Sequence, residues 1–190
     1  MAKKALVFLA EGFEEVEAVT PVDYLRRAGI EVTTASITVS NTVKGARGVP
    51  VVADTRLEEL AKTGKLSADA WDAVFIPGGM PGASNLAACP EVGKLFKEMA
   101  GAGKVFAAIC ASPAVVLAPL GLLEGKNFTC FPGLEGGVKG GKHSFEKVVI
   151  DGSLITSRGP GTAALFAFAL IEKLEGAAAA KKIAQDTLVS

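Results

Sequence analysis

The sequence predicts an α/β fold in which a mostly parallel sheet lies between two layers of helices. Three observations carry that expectation. Short, unbroken apolar runs such as KALVFLA and AWDAVFI read as strands covered on both faces. Helical patterns stand between them, for example Val92, Leu95, Phe96 and Met99 at i, i+3, i+4 and i+7. Strand and helix then alternate along the whole chain, the order that parallel strands joined by helical crossovers require.

Taken in order, residues 4–10 form the first strand, ended by Gly12, and 13–28 the first helix, closed by Gly29. Residues 30–37 (IEVTTASI) are β-branched and alternating, so a strand. Residues 43–53 contain Gly45, Gly48 and Pro50 and read as short strands or a hairpin at an edge, since proline interrupts a central ladder. A helical turn follows at 57–60 and a buried strand at 70–76, broken by PGGMPG. After the helix containing Val92 to Met99 come a strand at 104–109 and a helix at 111–117. Short strands are expected at 127–131, 147–150 and 153–156, and helices at 162–174 and 177–185. The glycine-rich stretch 132–143 reads as a loop. No linker or repeat interrupts this order, and 190 residues suit one well-buried core, so a single domain over 1–190 is expected.

Composition excludes several function classes. Apolar residues are 49% and charged residues 21% of the chain, a globular mix rather than a disordered one. Twenty basic residues balance twenty acidic ones, so no charge excess points to nucleic acid or an anionic membrane. No run approaches the ~18 consecutive apolar residues of a membrane span. MAKKALVFLAEG resembles a secretion signal at first, but Glu11, Glu14 and Glu15 follow without a cleavage site, so a cytoplasmic protein is expected. Cys89, Cys110 and Cys130 are odd in number and widely spaced, no CxxC occurs, and His143 is the only histidine. Those facts argue against a structural zinc site and for free thiols, and no metal is expected.

In an open α/β sheet, ligands bind beyond the carboxyl ends of the strands. Four junctions of that kind stand out: AEGFEEVE, PGGMPG, ICASP and TSRGPGT. PGGMPG lacks the GxxxxGK[ST] and GxGxxG patterns, so it is either a tight turn or a place where glycines let backbone N–H groups face a ligand. Cys110 lies at a strand-to-helix turn with Pro113 in the first helical turn. There the free N–H groups of a helix start would favour thiolate over thiol, the logic that also places a serine in a nucleophile elbow. The alternative is a small apolar core residue, and spacing does not separate the two. Ser112 reads as a helix-opening residue. Cys89 sits before a helix with proline at its first position and is read as incidental; Cys130 is read as a strand residue, and His143 as a loop histidine.

On the first helix, at about 100° per residue, Phe13, Ala18, Pro21, Val22, Tyr24 and Leu25 cover one apolar arc, and Glu17 falls inside it. Glu15, Asp23, Arg26 and Arg27 fall on the opposite side, and Glu14 near the helix start. A carboxylate on a core-facing arc must be protonated, paired or functional. Pro21 offers no N–H to the Glu17 carbonyl, so a distortion is expected there. Glu17 is thus either an acid group beside a thiol or a helix glutamate that reaches solvent.

AEGFEEVEAVTPVDYLRRAGIEV, IPGGMPGASNL, AAICASPAVVLA and LITSRGPGTAALFA resemble, in order and spacing, the DJ-one/ThiJ/PfpI superfamily, most closely the branch of the Parkinson-disease deglycase and its bacterial relatives. The likeness covers nearly the whole chain. It implies a flavodoxin-like three-layer sandwich of the class I glutamine amidotransferase type, a homodimer, and no cofactor. It marks Cys110 as the reactive cysteine, Glu17 as the glutamate bonded to it, and the N–H groups of Gly79 and Ala111 as oxyanion donors. Arg47 and Arg158 match positions near the dimer interface and the surroundings of the site. Ala111 stands where PfpI-type peptidases carry a histidine, which argues against a protease, and Phe131 stands where the Parkinson-disease protein carries one, so no Cys–His dyad is supported.

The function this implies is a cofactor-free glyoxalase III or deglycase, acting on methylglyoxal, glyoxal or their early adducts on amines and thiols. The alternative is a redox-sensing stress protein whose cysteine oxidises to a sulfinate, or a holding chaperone without turnover.

Overall fold

From Ala5 onward the first strand, β1 (Lys4–Leu9), is buried on both sides: Ala5, Val7 and Leu9 enter one apolar layer, Leu6 and Phe8 the other. This two-sided burial is what an unbroken apolar run calls for. The computed structural model describes residues 2–189. Next comes α1 (Glu15–Arg27), which runs through Pro21 without a break and ends before Gly29, whose φ of 82° suits glycine. Then β2 (Glu31–Ser36) pairs in parallel with β1. β3 (Thr42–Lys44) and β4 (Pro50–Val52) form the expected hairpin, but as a separate two-stranded sheet. The edge of the main sheet is instead β5 (Thr55–Arg56), followed by α2 (Leu57–Lys62).

β6 (Ala73–Ile76) leads to α3 (Gly82–Ala87), a short helix hidden from sequence reading by the surrounding glycines and prolines. α4 (Pro90–Gly101) buries Val92, Leu95, Phe96 and Met99, the residues its periodicity singled out. After β7 (Val105–Ile109) the helix expected at 111–117 is present as a π-helix, Pro113–Leu117, entered through a Val115 N–H bond to the Ala111 carbonyl at 2.9 Å and ended by Ala118 N–H donating to the Pro113 carbonyl at 3.0 Å. β8 (Asn127–Phe128) stops three residues short of its expected end. It pairs in parallel with β9 (Lys142–His143), which lies inside the stretch read as a loop. β10 (Val148–Asp151) and β11 (Leu154–Ser157) form an antiparallel hairpin, and α5 (Ala163–Glu175) and α6 (Ala177–Asp186) close the described chain.

The seven-stranded sheet has the order β10-β11-β7-β6-β1-β2-β5, parallel throughout except at β10. The apolar layer on one face is closed by Leu25 of α1, Phe166 and Leu170 of α5 and Ile183 of α6. The other is closed by Leu60 of α2, Leu86 of α3, and Leu95 and Phe96 of α4. This is the expected flavodoxin-like three-layer arrangement. The chain passes from β1 to β2 on one side and returns to β6 on the other, which puts a topological switch point between β1 and β6. Ligand sites form at the carboxyl ends of strands at such a point. The loops after β1, β6 and β7 all emerge there.

Candidate active site around Cys110

Cys110 is the first residue beyond β7, and its backbone is left-handed, with φ 65°. That conformation is unfavourable for a residue with a Cβ, by about 1–2 kcal/mol. Its surroundings impose it. Cys110 N–H donates to the Ser157 carbonyl at 2.9 Å, which continues the β11 ladder, and its carbonyl accepts from Phe131 N–H at 2.7 Å. One residue on, the buried Ser112 hydroxyl donates to the Pro77 carbonyl at 2.6 Å and ties the turn to the loop after β6. Strain held by long-range hydrogen bonds is the geometry of a nucleophile elbow. The side chain is 8% exposed.

Glu17 reaches the same point from α1, where Glu14 caps the helix by accepting Glu17 N–H at 2.8 Å. Its side chain is fully buried, so the apolar-arc reading holds and the solvent-reaching alternative does not. Oε2 accepts Gly78 N–H at 2.8 Å, while Oε1 has no hydrogen-bond partner among the described residues. A Cβ on Gly78 would stand 2.6 Å from the Cys110 Cβ and 2.9 Å from Glu17 Oε2, so only glycine allows thiol and carboxyl to meet here. Gly79 has φ 86°, a left-handed conformation that favours glycine.

Burial raises the Glu17 carboxyl from its ordinary 4.5 to about 7; the Cys110 thiol and Gly78 N–H beside it pull the other way. Cys110 does not behave as the sequence led one to expect. Burial, then the charge of Glu17, push its thiol up to about 12, against the opposing pull of the Gly79 and Ala111 N–H groups. The reason is that only a five-residue π-helix follows it, too short for a helix dipole to offset the loss of water and the facing carboxylate. Near neutral pH the site therefore holds a thiol beside a half-ionised carboxyl rather than a standing thiolate. The thiol and the carboxyl face one another closely enough for each to shift the other's titration, and Glu17 Oε1 has no other hydrogen-bond partner among the described residues.

Other expected residues fall around this pair. Phe131 is 46% exposed, and a Cβ placed on Gly159 would lie 3.5 Å from its ring and 4.0 Å from Glu17 Oε1. Gly159 therefore stands between the exposed Phe131 ring and the buried Glu17 carboxyl. Arg158 lines the shallow groove beside it with Pro132, Lys147 and Thr162. Arg47 is exposed, and what the structure fixes is its backbone, whose N–H donates to Glu15 Oε1 at 2.7 Å. Glu15 itself corrects the sequence reading: it is buried, holding Arg47 and Val49 N–H groups against Gly45 rather than facing solvent. Cys89 is raised rather than acidic, through burial first, and Cys130 is pushed up to about 11 for the same leading reason. His143 is half-buried in β9, away from the Cys110 pair's contacts. Two clefts at the opposite end of the sheet, lined by Lys4, Trp71 and Lys104 among others, contain neither cysteine nor histidine. Gly78 is the contributor that sequence reading missed, its only signal being the GG pair of PGGMPG, and Ser112 the one it underrated.

Residues 3–173 match the model of the DJ-1/PfpI family. This chain belongs to that family. It is 42% identical to the Parkinson disease protein 7 homolog of Danio rerio, over 95% of this chain and 94% of that protein. It is 37% identical to the glutathione-independent glyoxalase DJR-1.2 of Caenorhabditis elegans, over 92% and 90% of the two chains. Against Protein DJ-1 homolog B of Arabidopsis thaliana, 40% identity extends over 97% of this chain but only 41% of that longer protein. Among solved structures, oxidized Toxoplasma gondii DJ-1 superposes with a TM-score of 0.92 at 39% identity, covering 98% of each chain. The family membership fits the doubly wound sheet described above, and no described helix is long and apolar enough to cross a membrane.

Proposed function

We propose that this chain is a cofactor-free glyoxalase of the glutathione-independent kind that also acts as a deglycase, its substrates being methylglyoxal, glyoxal or their early adducts on amines and thiols. The observation that carries this reading is the buried Glu17 carboxyl, raised to about 7, set against the Cys110 thiol. A group titrating near working pH is suited to receive and return protons. The nematode relative's name supports the substrate class.

Cys110 sulfur attacks the aldehyde carbon as its proton passes to the Glu17 carboxylate. The S–C bond forms, and the aldehyde oxygen takes the negative charge. Gly79 and Ala111 N–H groups, which already act on the sulfur, hold that oxygen. Glu17 returns its proton to that oxygen, and as a carboxylate it then carries a proton from the former aldehyde carbon to the adjacent carbon by way of an enediol, leaving a thioester of a 2-hydroxy acid. Water cleaves the S–C bond and the thiol regains its proton, so methylglyoxal plus water becomes lactate. On an early adduct, an aminocarbinol or hemithioacetal, the sulfur displaces the amine or thiol from the same carbon, the leaving group takes from Glu17 the proton that the thiol gave up, and the hemithioacetal left on Cys110 follows the same course.

The test is lactate formation from methylglyoxal by the purified chain, by Cys110→Ser and by Glu17→Gln. Loss in both variants is expected; equal rates in all three would remove the enzyme reading. Phe131 beside Gly159 and Arg158 in the neighbouring groove are proposed as site surroundings. The assembly is proposed as a homodimer, consistent with Val16 and Val19 on α1 lying about half exposed beside the buried Glu15 and Glu17. A cytoplasmic location suits three free thiols.

A redox-sensing role is the second reading. A protonated Glu17 and two N–H groups aimed at the sulfur would stabilise a sulfinate, and a relative is known in an oxidized form. Intact mass after mild peroxide separates the two: a stable gain of two oxygens confined to Cys110 is what this role requires.

A further inference from the structure

The chain's only histidine returns to one of its three cysteines. Parallel pairing of β8 with β9 sets His143 opposite Phe128, and Ser144 N–H donates to the Phe128 carbonyl at 2.8 Å. Between the two strands the chain folds back through a 3-10 turn, Glu135–Gly137, fastened by Gly133 N–H donating to Glu135 Oε2 at 2.7 Å and Leu134 N–H to the Phe131 carbonyl at 3.2 Å. As a result one ligand atom from each of Cys130, Glu135 and His143 lies within 4.8 Å of the other two. Cys130 is fully buried, whereas Glu135 and His143 are half-buried. The cluster is closed on its sulfur side and open opposite. The imidazole is also held in place: its centroid is 5.5 Å from that of Phe128 and 4.9 Å from that of Phe145.

We propose that Cys130, Glu135 and His143 form a binding site for a single borderline-soft divalent cation, with Zn2+ the best match and a water completing four-fold coordination. One sulfur, one imidazole nitrogen and one carboxylate oxygen are a poor set for Ca2+ or Mg2+, which take oxygen ligands, and a suitable set for zinc. Tetrahedral zinc places such ligand atoms about 3.3–3.8 Å apart, so the cluster must contract by about an ångström or more. Glu135 is the member free to supply most of that movement, since it is half-exposed and opens a short turn whose next two residues are glycines. Binding releases the thiol proton to solvent as the sulfur–metal bond forms. The thiolate and carboxylate then balance the dication, with the imidazole neutral. This assignment reverses the sequence expectation of no metal, which rested on ligand spacing rather than on the β8–β9 pairing. It is independent of the activity proposed at Cys110. One structural consequence follows: Phe131, next to Cys130, donates its N–H to the Cys110 carbonyl, so an occupied site would clamp the segment that borders the candidate active site.

The test uses the full chain with Cys89→Ser and Cys110→Ser, which leaves Cys130 as the only thiol. Co2+ titration should give a saturating one-to-one sulfur-to-cobalt charge-transfer band with tetrahedral d–d bands, both removed by added Zn2+. His143→Ala and Glu135→Gln should each weaken Co2+ binding by about tenfold or more, and Cys130→Ser should abolish the charge-transfer band. His143 and Glu135 lie outside the apolar layers, so both variants should keep the parent's circular dichroism spectrum and remain readable even if Cys130→Ser does not fold. Absence of a saturating band, or unchanged affinity in either His143→Ala or Glu135→Gln, would overturn the three-ligand site.

Discussion

Replacing Glu17 with glutamine changes the chemistry of one buried group while keeping its shape, and the structure fixes what that does to stability. In the folded chain the carboxyl titrates at about 7 against an ordinary 4.5. The folded state therefore binds a proton that the unfolded state has already lost between those values, so the contribution of Glu17 to stability is greatest below pH 4.5 and is lost as pH rises through about 7. The full span corresponds to about 3 kcal/mol, of which about 2.5 kcal/mol lies between about pH 5 and about pH 8. Glutamine keeps an oxygen to accept Gly78 N–H and does not titrate. Urea unfolding of both proteins at the two pH values gives the measurement. The stability of the parent minus that of Glu17→Gln should be larger at the lower pH by about 2.5 kcal/mol. A difference that does not change with pH would refute the claim that a buried, proton-holding carboxyl faces Cys110, and with it the shuttle role. Groups elsewhere titrate in both proteins alike and cancel in the difference.

Gly78→Ala should destabilise the chain by about 1–3 kcal/mol and remove lactate formation, because the new methyl meets Cys110 and Glu17 together; urea unfolding and the methylglyoxal assay check both parts. Ser112→Ala should cost about 1–3 kcal/mol, by leaving the buried turn without its bond to the Pro77 carbonyl, and should lower the rate of Cys110 alkylation measured by mass spectrometry. Glu15→Ala should cost about 2–3 kcal/mol in thermal or urea unfolding, since two N–H groups of the loop after β3 lose their acceptor, whereas Glu15→Gln should cost less because it retains one.

Local patterns in the sequence determine much of this protein. Unbroken apolar runs gave β1, β6 and β7, because a strand covered on both faces has no polar side to alternate with. The 3.6-residue period gave α4 and placed Glu17 among apolar neighbours, and motif resemblance placed Cys110 beside it. The hairpin at β3 and β4 was readable from its glycines and proline, though not its separation from the main sheet.

What tertiary structure alone decided depends on groups distant in sequence. Gly78 and Glu17 are 61 residues apart and Ser112 and Pro77 are 35 apart, yet their hydrogen bonds build the site. Glu15 is buried because a loop 32 residues on brings N–H groups to it, which no helical wheel records. The direction of the Cys110 shift was misjudged because helix-start N–H groups are visible in a sequence, whereas the depth of burial and the facing carboxylate are not. Cys130, Glu135 and His143 meet only through a two-residue strand pairing in a stretch whose composition reads as loop. Periodicity reports which side of an element is apolar; which groups then share a proton or a cation is set by how the chain closes on itself.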